Sequence, residues 1–230
     1  MQDDLQRGYY LRFSAIEAYR RKVWTILTRD FFSRWIPASS TVLDLGCGWG
    51  EFINQIAAAT KHGMDLNPQS REKLSKDVQF HEHDCSTRWP IADGSLDVVF
   101  TSNFFEHLFT KDALRSTLTH AWNALKPGGR IICLGPNIRH LGGHYWDFWD
   151  HHLALTEESL AEGLELTGFE IKKKIGRFLP YTMSQGSNPP LWMVSLYLKL
   201  PLAWRFKGKQ FLVIAERTRQ GSRDAGAPAH

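Results

Sequence analysis

The chain has little of what marks several protein classes. Its three cysteines, Cys47, Cys85 and Cys133, are odd in number and lack C-x-x-C spacing. That excludes a disulfide framework or structural zinc and suits a reducing compartment. No apolar run reaches the roughly 18–20 residues that a bilayer-spanning helix needs. The opening Met1-Gln2-Asp3-Asp4 is acidic and polar, so no secretory leader is expected, and the expected location is cytoplasmic. A long basic block is also missing. The formal charge is only +4, and the densest run, Lys172-Lys173-Lys174, is expected on a solvated strand edge. Nucleic acid is therefore not expected as a partner. What is present is a globular composition, 43% apolar and 23% charged, in 230 residues without an internal repeat.

The stretch Thr41-Val42-Leu43-Asp44-Leu45-Gly46-Cys47-Gly48-Trp49-Gly50-Glu51-Phe52 organises the rest. Val42, Leu43 and Leu45 form a short apolar run of the kind buried in a parallel sheet. Gly46, Gly48 and Gly50 then allow a tight turn and close approach of a ligand to backbone. From Glu51 the spacing of Phe52, Ile53, Ile56 and Ala57 predicts a helix, so free N–H groups are expected beside the turn. A dinucleotide fingerprint G-x-G-x-x-G would place its third glycine where Glu51 stands. A carboxylate suits the start of a helix but repels a pyrophosphate. The pattern favours a nucleoside without phosphates, carrying positive charge.

Strand and helix signals alternate along the chain. Residues 14 to 35 read as a helix over the cofactor cleft, with Ile16, Tyr19, Val23, Leu27, Phe31 and Trp35 at helical spacing and Pro37 ending it. Tyr9-Tyr10 and Arg12-Phe13 precede it, and all these aromatics are read as packing. Residues 61–65 predict a second strand ending at Asp65, nineteen residues after Gly46. An acid meets ribose hydroxyls at roughly this interval in such folds. Asn67-Pro68 opens the next helix, and residues 78–81 a third strand. Residues 96–103 predict the fourth, Leu125-Lys126-Pro127-Gly128-Gly129-Arg130 a helix end and turn, and residues 131–134 the fifth. Thr156 is expected to cap a helix through Glu165. Strands from Gly168 and over 210–215 complete a doubly wound α/β sheet.

The glycine turn, Asp65, Asp84, the D-V-V-F-T-S-N strand and L-K-P-G-G-R occur in the order seen in class I S-adenosylmethionine-dependent methyltransferases, which this chain resembles over residues 38 to 177 and the last strand. The resemblance implies a seven-stranded sheet with its final strand antiparallel, and S-adenosylmethionine as cofactor. It implies cofactor contacts from Asp44, Gly46, Cys47, Gly48, Gly50, Asp65, Leu66, Asp84, Cys85 and Asn103. For Asp84, facing the adenine amino group or capping a loop remain alternatives. A softer resemblance to methyltransferases from bacterial surface-glycan gene clusters implies glycan biosynthesis.

On this reading a single domain spans 1–220. It has an N-terminal helical cap at 1–40 and an apolar insert at 178–208, and 221–230 is a disordered tail. Transfer to a hydroxyl needs a base, and histidine is the usual one. His107, His140, His144 and His151 lie on loops at the carboxyl ends of strands, and His107, His144 and His151 are the catalytic candidates. A metal held by His144, Asp147, Asp150 and His151 matches no dedicated motif, so none is expected. Asn188-Pro189-Pro190 reads as a turn, not as an amino-methyltransferase signature. The expected acceptor is a small molecule or glycan, lipid-linked in the sharper version. The segment 191–205 is then either a lid helix or dimer contact, or an interfacial helix with Trp192, Tyr197 and Trp204 at headgroup depth on the inner membrane face. The alternatives are an NAD-dependent nucleotide-sugar dehydrogenase or reductase, and a non-catalytic cofactor-binding partner protein.

Overall fold

The computed structural model describes Tyr10, residues 16–181 and residues 188–218. Expectations for Tyr9, Arg12, Phe13 and the tail at 221–230 lie outside them. Seven strands, β1 (Thr41–Leu45), β2 (Thr60–Asp65), β3 (Val78–Glu82), β4 (Leu96–Ser102), β5 (Leu125–Pro136), β6 (Phe169–Ile175) and β7 (Gln210–Arg217), form one sheet. Their spatial order is β3-β2-β1-β4-β5-β7-β6. β3, β2, β1, β4 and β5 run parallel. β7 is inserted antiparallel between β5 and β6. The chain reverses its winding between β1 and β4, which creates the crevice where open α/β sheets bind ligands.

Side chains alternate across the central strands and divide the core in two. Leu43, Leu45, Val99, Ile131, Cys133 and Val213 face α-helices Lys111–Ala124 and Glu157–Thr167. Val42, Val98, Phe100, Ile132, Leu134, Leu212 and Ile214 face helix α1 (Glu17–Asp30) and an aromatic cluster. Phe52 stacks on Phe100 at 3.6 Å between ring centroids. Trp24 and Phe32 approach Phe100 edge-on at 6.0 and 5.1 Å, the geometry that aromatic quadrupoles favour. β6 is the edge strand, so the triple lysine run sits where a charged edge was expected.

Four local expectations are corrected. No helix follows Gly50. Asn54 N donates to Gly50 O at 3.0 Å and Ile56 N to Phe52 O at 3.1 Å, but Gln55 N also turns to Phe52 O, at 2.9 Å. The N–H of Ile53 goes to the Asp44 carboxyl. The ladder is thus interrupted, while Phe52, Ile53 and Ile56 still bury as their spacing predicted. Second, Leu125 to Arg130 belong to β5, because Leu125 pairs with Leu96 beside an irregularity in the ladder. Third, the helix opened by Asn67-Pro68 is the single turn α2 (Ser70–Lys73).

Fourth, the insert is two helices, Leu191–Lys199 and Pro201–Lys207, broken where Pro201 cannot continue the first. Trp204 and Leu198 are buried, and the Trp204 Nε1–H donates to Tyr197 O at 2.8 Å. The Tyr197 hydroxyl donates inward to Phe178 O. Of the three aromatics expected at headgroup depth, only Trp192 is exposed; Met193, Leu196, Leu202 and Phe206 join it on the outer surface. The insert packs on α1 through a Ser195–Asp30 hydrogen bond at 2.7 Å, and the Tyr19 hydroxyl donates to Pro189 O at 2.7 Å. Asn188-Pro189-Pro190 is irregular backbone that leads into the first of the insert's two helices, with Pro190 at its N-cap. No helix among the described residues is long and apolar enough to cross a membrane.

Candidate functional site

The glycine turn is held by main-chain bonds to β2. Gly46 N and Cys47 N both donate to Met64 O, at 2.9 and 3.1 Å. Gly48 N donates to one oxygen of Asp65 at 2.8 Å and Asn67 N to the other at 2.9 Å. These two bonds fix the carboxylate at the end of β2 and leave each oxygen further acceptor capacity for a diol. Gly46 has φ +70°, and a Cβ there would lie 2.3 Å from the Phe104 ring. Any larger residue would both strain the turn and displace that ring.

Three carboxyl groups surround this turn. Burial, then the charges of Glu51 and Asp65, push Asp44 well above the usual carboxylate range. Burial also raises Asp65, against the N–H groups of Asn67, Gly48 and Leu66 and the nearby His107 ring. Glu51 pairs with Arg20 of α1 at 2.9 Å, both nearly buried, which ties the N-terminal helix to the cleft. Burial and then the Asp44 and Asp65 charges push the Cys47 thiol up, so it stays neutral. With Asp44 pushed toward its neutral form and Glu51 paired with Arg20, Asp65 is the carboxyl of the three that is anchored at the turn by main-chain N–H groups.

The remaining cofactor candidates differ in setting. Leu66 is exposed beside Asp65, an apolar surface for a ring to lie on. Asp84 is exposed, and its Oδ1 accepts from Ser86 N at 2.9 Å and the Ser86 hydroxyl at 2.8 Å, the loop-capping alternative. The Cys85 side chain lies in the core, accepting from the Thr117 hydroxyl at 3.3 Å. Burial pushes its thiol up to about 11. Asn103 ends β4 at φ +50°, and its Oδ1 is buried without a hydrogen-bond partner among the described residues. Strain and an orphaned acceptor at one residue mark a ligand position.

The structure separates the three histidines expected as catalytic candidates. His144 is 78% exposed and pairs with Asp147 at 3.0 Å, away from the cleft. His107 and His151 meet edge-on, 5.1 Å between centroids. The Nδ1 of His107 lies 2.9 Å from Asp150 O and that of His151 2.7 Å from Tyr145 O. Each Nδ1 must therefore carry the proton, and Nε2 is the lone-pair nitrogen of each neutral ring. His140 is a half-buried residue whose pKa is lowered by burial and then by Arg177.

Sequence reasoning passed over Glu106, which it treated only as a neighbour of His107. Glu106 is 3% exposed and His151 6%. One ligating atom from each of Glu106, His107 and His151 lies within 4.8 Å of the others. His152 N and Leu153 N both donate to Glu106 O, at 2.7 and 3.1 Å, lacing the loop after β5 to the loop after β4. Burial and then the Glu106 charge raise the pKa of the Tyr145 hydroxyl, which places that carboxylate's field inside the pocket. On the same two loops Phe109, Trp146 and Trp149 are exposed, Trp149 to 96%. The only sequence signal for Glu106 was its place next to His107 at a strand's carboxyl end. Arg20 gave no signal, because its partner Glu51 lies on another element.

Residues 42–129 match the model of the methyltransferase domain family. A curated relative, the 2-methyl-6-phytyl-1,4-hydroquinone methyltransferase of Synechocystis sp., is 26% identical over 58% of this chain. The match spans 47% of that relative, about half its length. An S-adenosylmethionine-dependent methyltransferase from Archaeoglobus fulgidus superposes with a TM-score of 0.65 at 21% identity, covering 89% of this chain and 98% of that one. A chain from the complex of the Haloferax volcanii Trm112 methyltransferase activator with a methyltransferase gives 0.67 at 16% identity, covering 92% and 97%. These structural likenesses speak to the fold. Taken with the family match over residues 42–129, they make this chain similar to S-adenosylmethionine-dependent methyltransferases in its fold and in the segment that carries the glycine turn.

Proposed function

We propose that the chain transfers a methyl group to a hydroxyl of a small molecule or glycan whose carrier is apolar. The observation that carries this reading is the placement of His107, which acts electrostatically on Asp65 and also joins Glu106 and His151. Cofactor acid and acceptor-side cluster thus share one cleft. When bound, S-adenosylmethionine supplies an electrophilic methyl on a sulfonium. The glycine turn and Asp65 hold the nucleoside, and Asn103 offers its orphaned oxygen to a ligand N–H. His107 and His151 orient the acceptor hydroxyl and activate it, while the helices over the crevice limit water.

Two features support an acceptor with an apolar carrier. The insert joins β6 to β7, and Asn137 N at the end of β5 donates to Lys209 O at 3.0 Å, so the insert stands at the sheet edge that bears the site. Its outer surface combines Trp192, Met193, Leu196, Leu202 and Phe206 with Lys199, Arg205 and Lys207, the pairing of an interfacial helix on anionic lipid. The Synechocystis relative is named for a hydroquinone with a phytyl tail, also a hydroxylated head on an apolar chain. On this reading the protein works at the cytoplasmic face of a membrane. A lid or homodimer contact is the plainer use of the same surface. The dehydrogenase alternative is disfavoured by Glu51 and its Arg20 pair at the position of the third glycine.

The test is transfer of labelled methyl to matched acceptors with and without an apolar tail, in the presence of anionic vesicles. Label on the tailed hydroxyl acceptors, reduced when Trp192→Ser is combined with Phe206→Ser, is expected. Transfer only to amines would overturn the hydroxyl reading. Equal transfer to tailed and tailless acceptors would overturn the carrier.

A further inference from the structure

We propose that Glu106, His107 and His151 bind a divalent first-row transition-metal cation that holds the acceptor hydroxyl. The proposal rests on the methyl-transfer reading and refines how its acceptor-side cluster acts. It also revises the expectation of no metal, with a different set of ligands from the one weighed in the sequence.

The three side chains bring together acceptors. Glu106 offers a carboxylate oxygen, and the two imidazoles, with Nδ1 turned to the carbonyls of Asp150 and Tyr145, offer lone-pair nitrogens. His107 Nε2 lies 4.0 Å from Glu106 Oε1. Histidines fixed through Nδ1 to a carbonyl or carboxylate are the usual support behind metal ligands. Here His107 has both, since Asp150 Oδ2 also lies 3.4 Å from its Nδ1. Bonds of about 2.0–2.2 Å to zinc-like ions put neighbouring donors roughly 3–3.5 Å apart. The three donor atoms, all within 4.8 Å of one another, thus already lie near that separation.

Donor chemistry selects the ion. Two imidazoles and one carboxylate suit Zn²⁺, Fe²⁺, Co²⁺ or Mn²⁺, whereas Mg²⁺ and Ca²⁺ prefer oxygen alone. Three protein ligands leave coordination positions open for an acceptor oxygen. A cation there lowers the hydroxyl pKa. The O–H proton leaves to water, the oxygen pair forms the new O–CH₃ bond, and the C–S bond pair remains on sulfur as the neutral thioether.

The test uses the full chain, stripped with EDTA and titrated with Co²⁺, read by its visible d–d bands, and with Mn²⁺, read by electron paramagnetic resonance. Saturable binding of one cation per chain is expected, weakened at least tenfold in Glu106→Gln and in His107→Ala and unchanged in His144→Ala. Circular dichroism melts establish that each variant is folded. Binding that is absent in the folded wild type, kept by both cluster variants, or lost only in His144→Ala would overturn the proposal. Titration of the same samples with S-adenosylhomocysteine separates the two readings. Cofactor binding without cation binding sinks the metal alone. Cation binding without cofactor binding sinks methyl transfer and leaves the metal site standing.

Discussion

The two halves of the candidate cleft are built by different means. On the cofactor side, the glycine turn and Asp65 meet through main-chain N–H groups, and the contacts follow from one strand–turn segment and the end of its neighbour. On the acceptor side, Glu106 and His107 come from a short 3₁₀ turn after β4, and His151 comes from the loop after β5. Hydrogen bonds from His152 N and Leu153 N to Glu106 O, together with the contact of His107 Nδ1 with Asp150 O, bring those two loops together. A backbone-built site tolerates many side chains but demands its glycines. A side-chain-built site keeps its chemistry only while two loops stay in register.

The largest effects are expected on the acceptor side. His107→Ala and His151→Ala should each lower turnover by roughly 10²–10⁴-fold, the range for losing a group that activates the acceptor hydroxyl. The exposed His144→Ala should keep full turnover. S-adenosylhomocysteine affinity should change far less than turnover in all three, because the bonds that anchor Asp65 come from the main chain. Steady-state rates beside calorimetric affinities check this. If His144→Ala proves as damaging as His107→Ala, the division into halves is wrong.

This contrast also explains what could be read in advance. The antiparallel β7 was expected from the family resemblance, whereas the places of the strands, and of Asp65 at the end of β2, were legible from local alternation and spacing. Phe52, Ile53 and Ile56 were legible as buried residues but not as a broken turn. Apolar spacing reports which side chains bury, while the Asp44 carboxyl takes the Ile53 N–H that a helix would need. Among the histidines, His144 and His151 looked alike in the sequence, seven residues apart in one loop. Only packing of that loop on Glu106 turns one inward and leaves the other in solvent. The Arg20–Glu51 pair was illegible for the same reason, since ion pairs between distant elements have no sequence spacing.

A smaller effect sharpens the cofactor side. The Asp44 pKa lies well above its ordinary 3.8 in the folded chain, so the folded state binds protons more tightly than the unfolded one. The sign follows: the contribution of Asp44 to stability is complete below the ordinary pKa and is lost as pH rises through the raised one. Asp44→Asn keeps an oxygen for the Ile53 N–H and removes the titration. It should raise the Tm of the ligand-free protein by on the order of 2–4 °C at pH 7, the equivalent of about 1 kcal/mol in a chain of this size. The gain should shrink toward pH 4. Thermal melts across that range check it, and a lower Tm at pH 7 would show that the carboxylate stabilises the turn.

The claim on which both halves depend is that the turn and Asp65 hold S-adenosylmethionine, and calorimetric titration of the wild type and Asp65→Ala tests it most directly. The account predicts saturable one-to-one binding of S-adenosylmethionine and S-adenosylhomocysteine to the wild type and none of NAD. In a folded Asp65→Ala protein that binding should weaken by about 1.5–3 kcal/mol, the worth of hydrogen bonds to a charged group. Tight NAD binding without S-adenosylhomocysteine binding, or full cofactor affinity in Asp65→Ala, would contradict it.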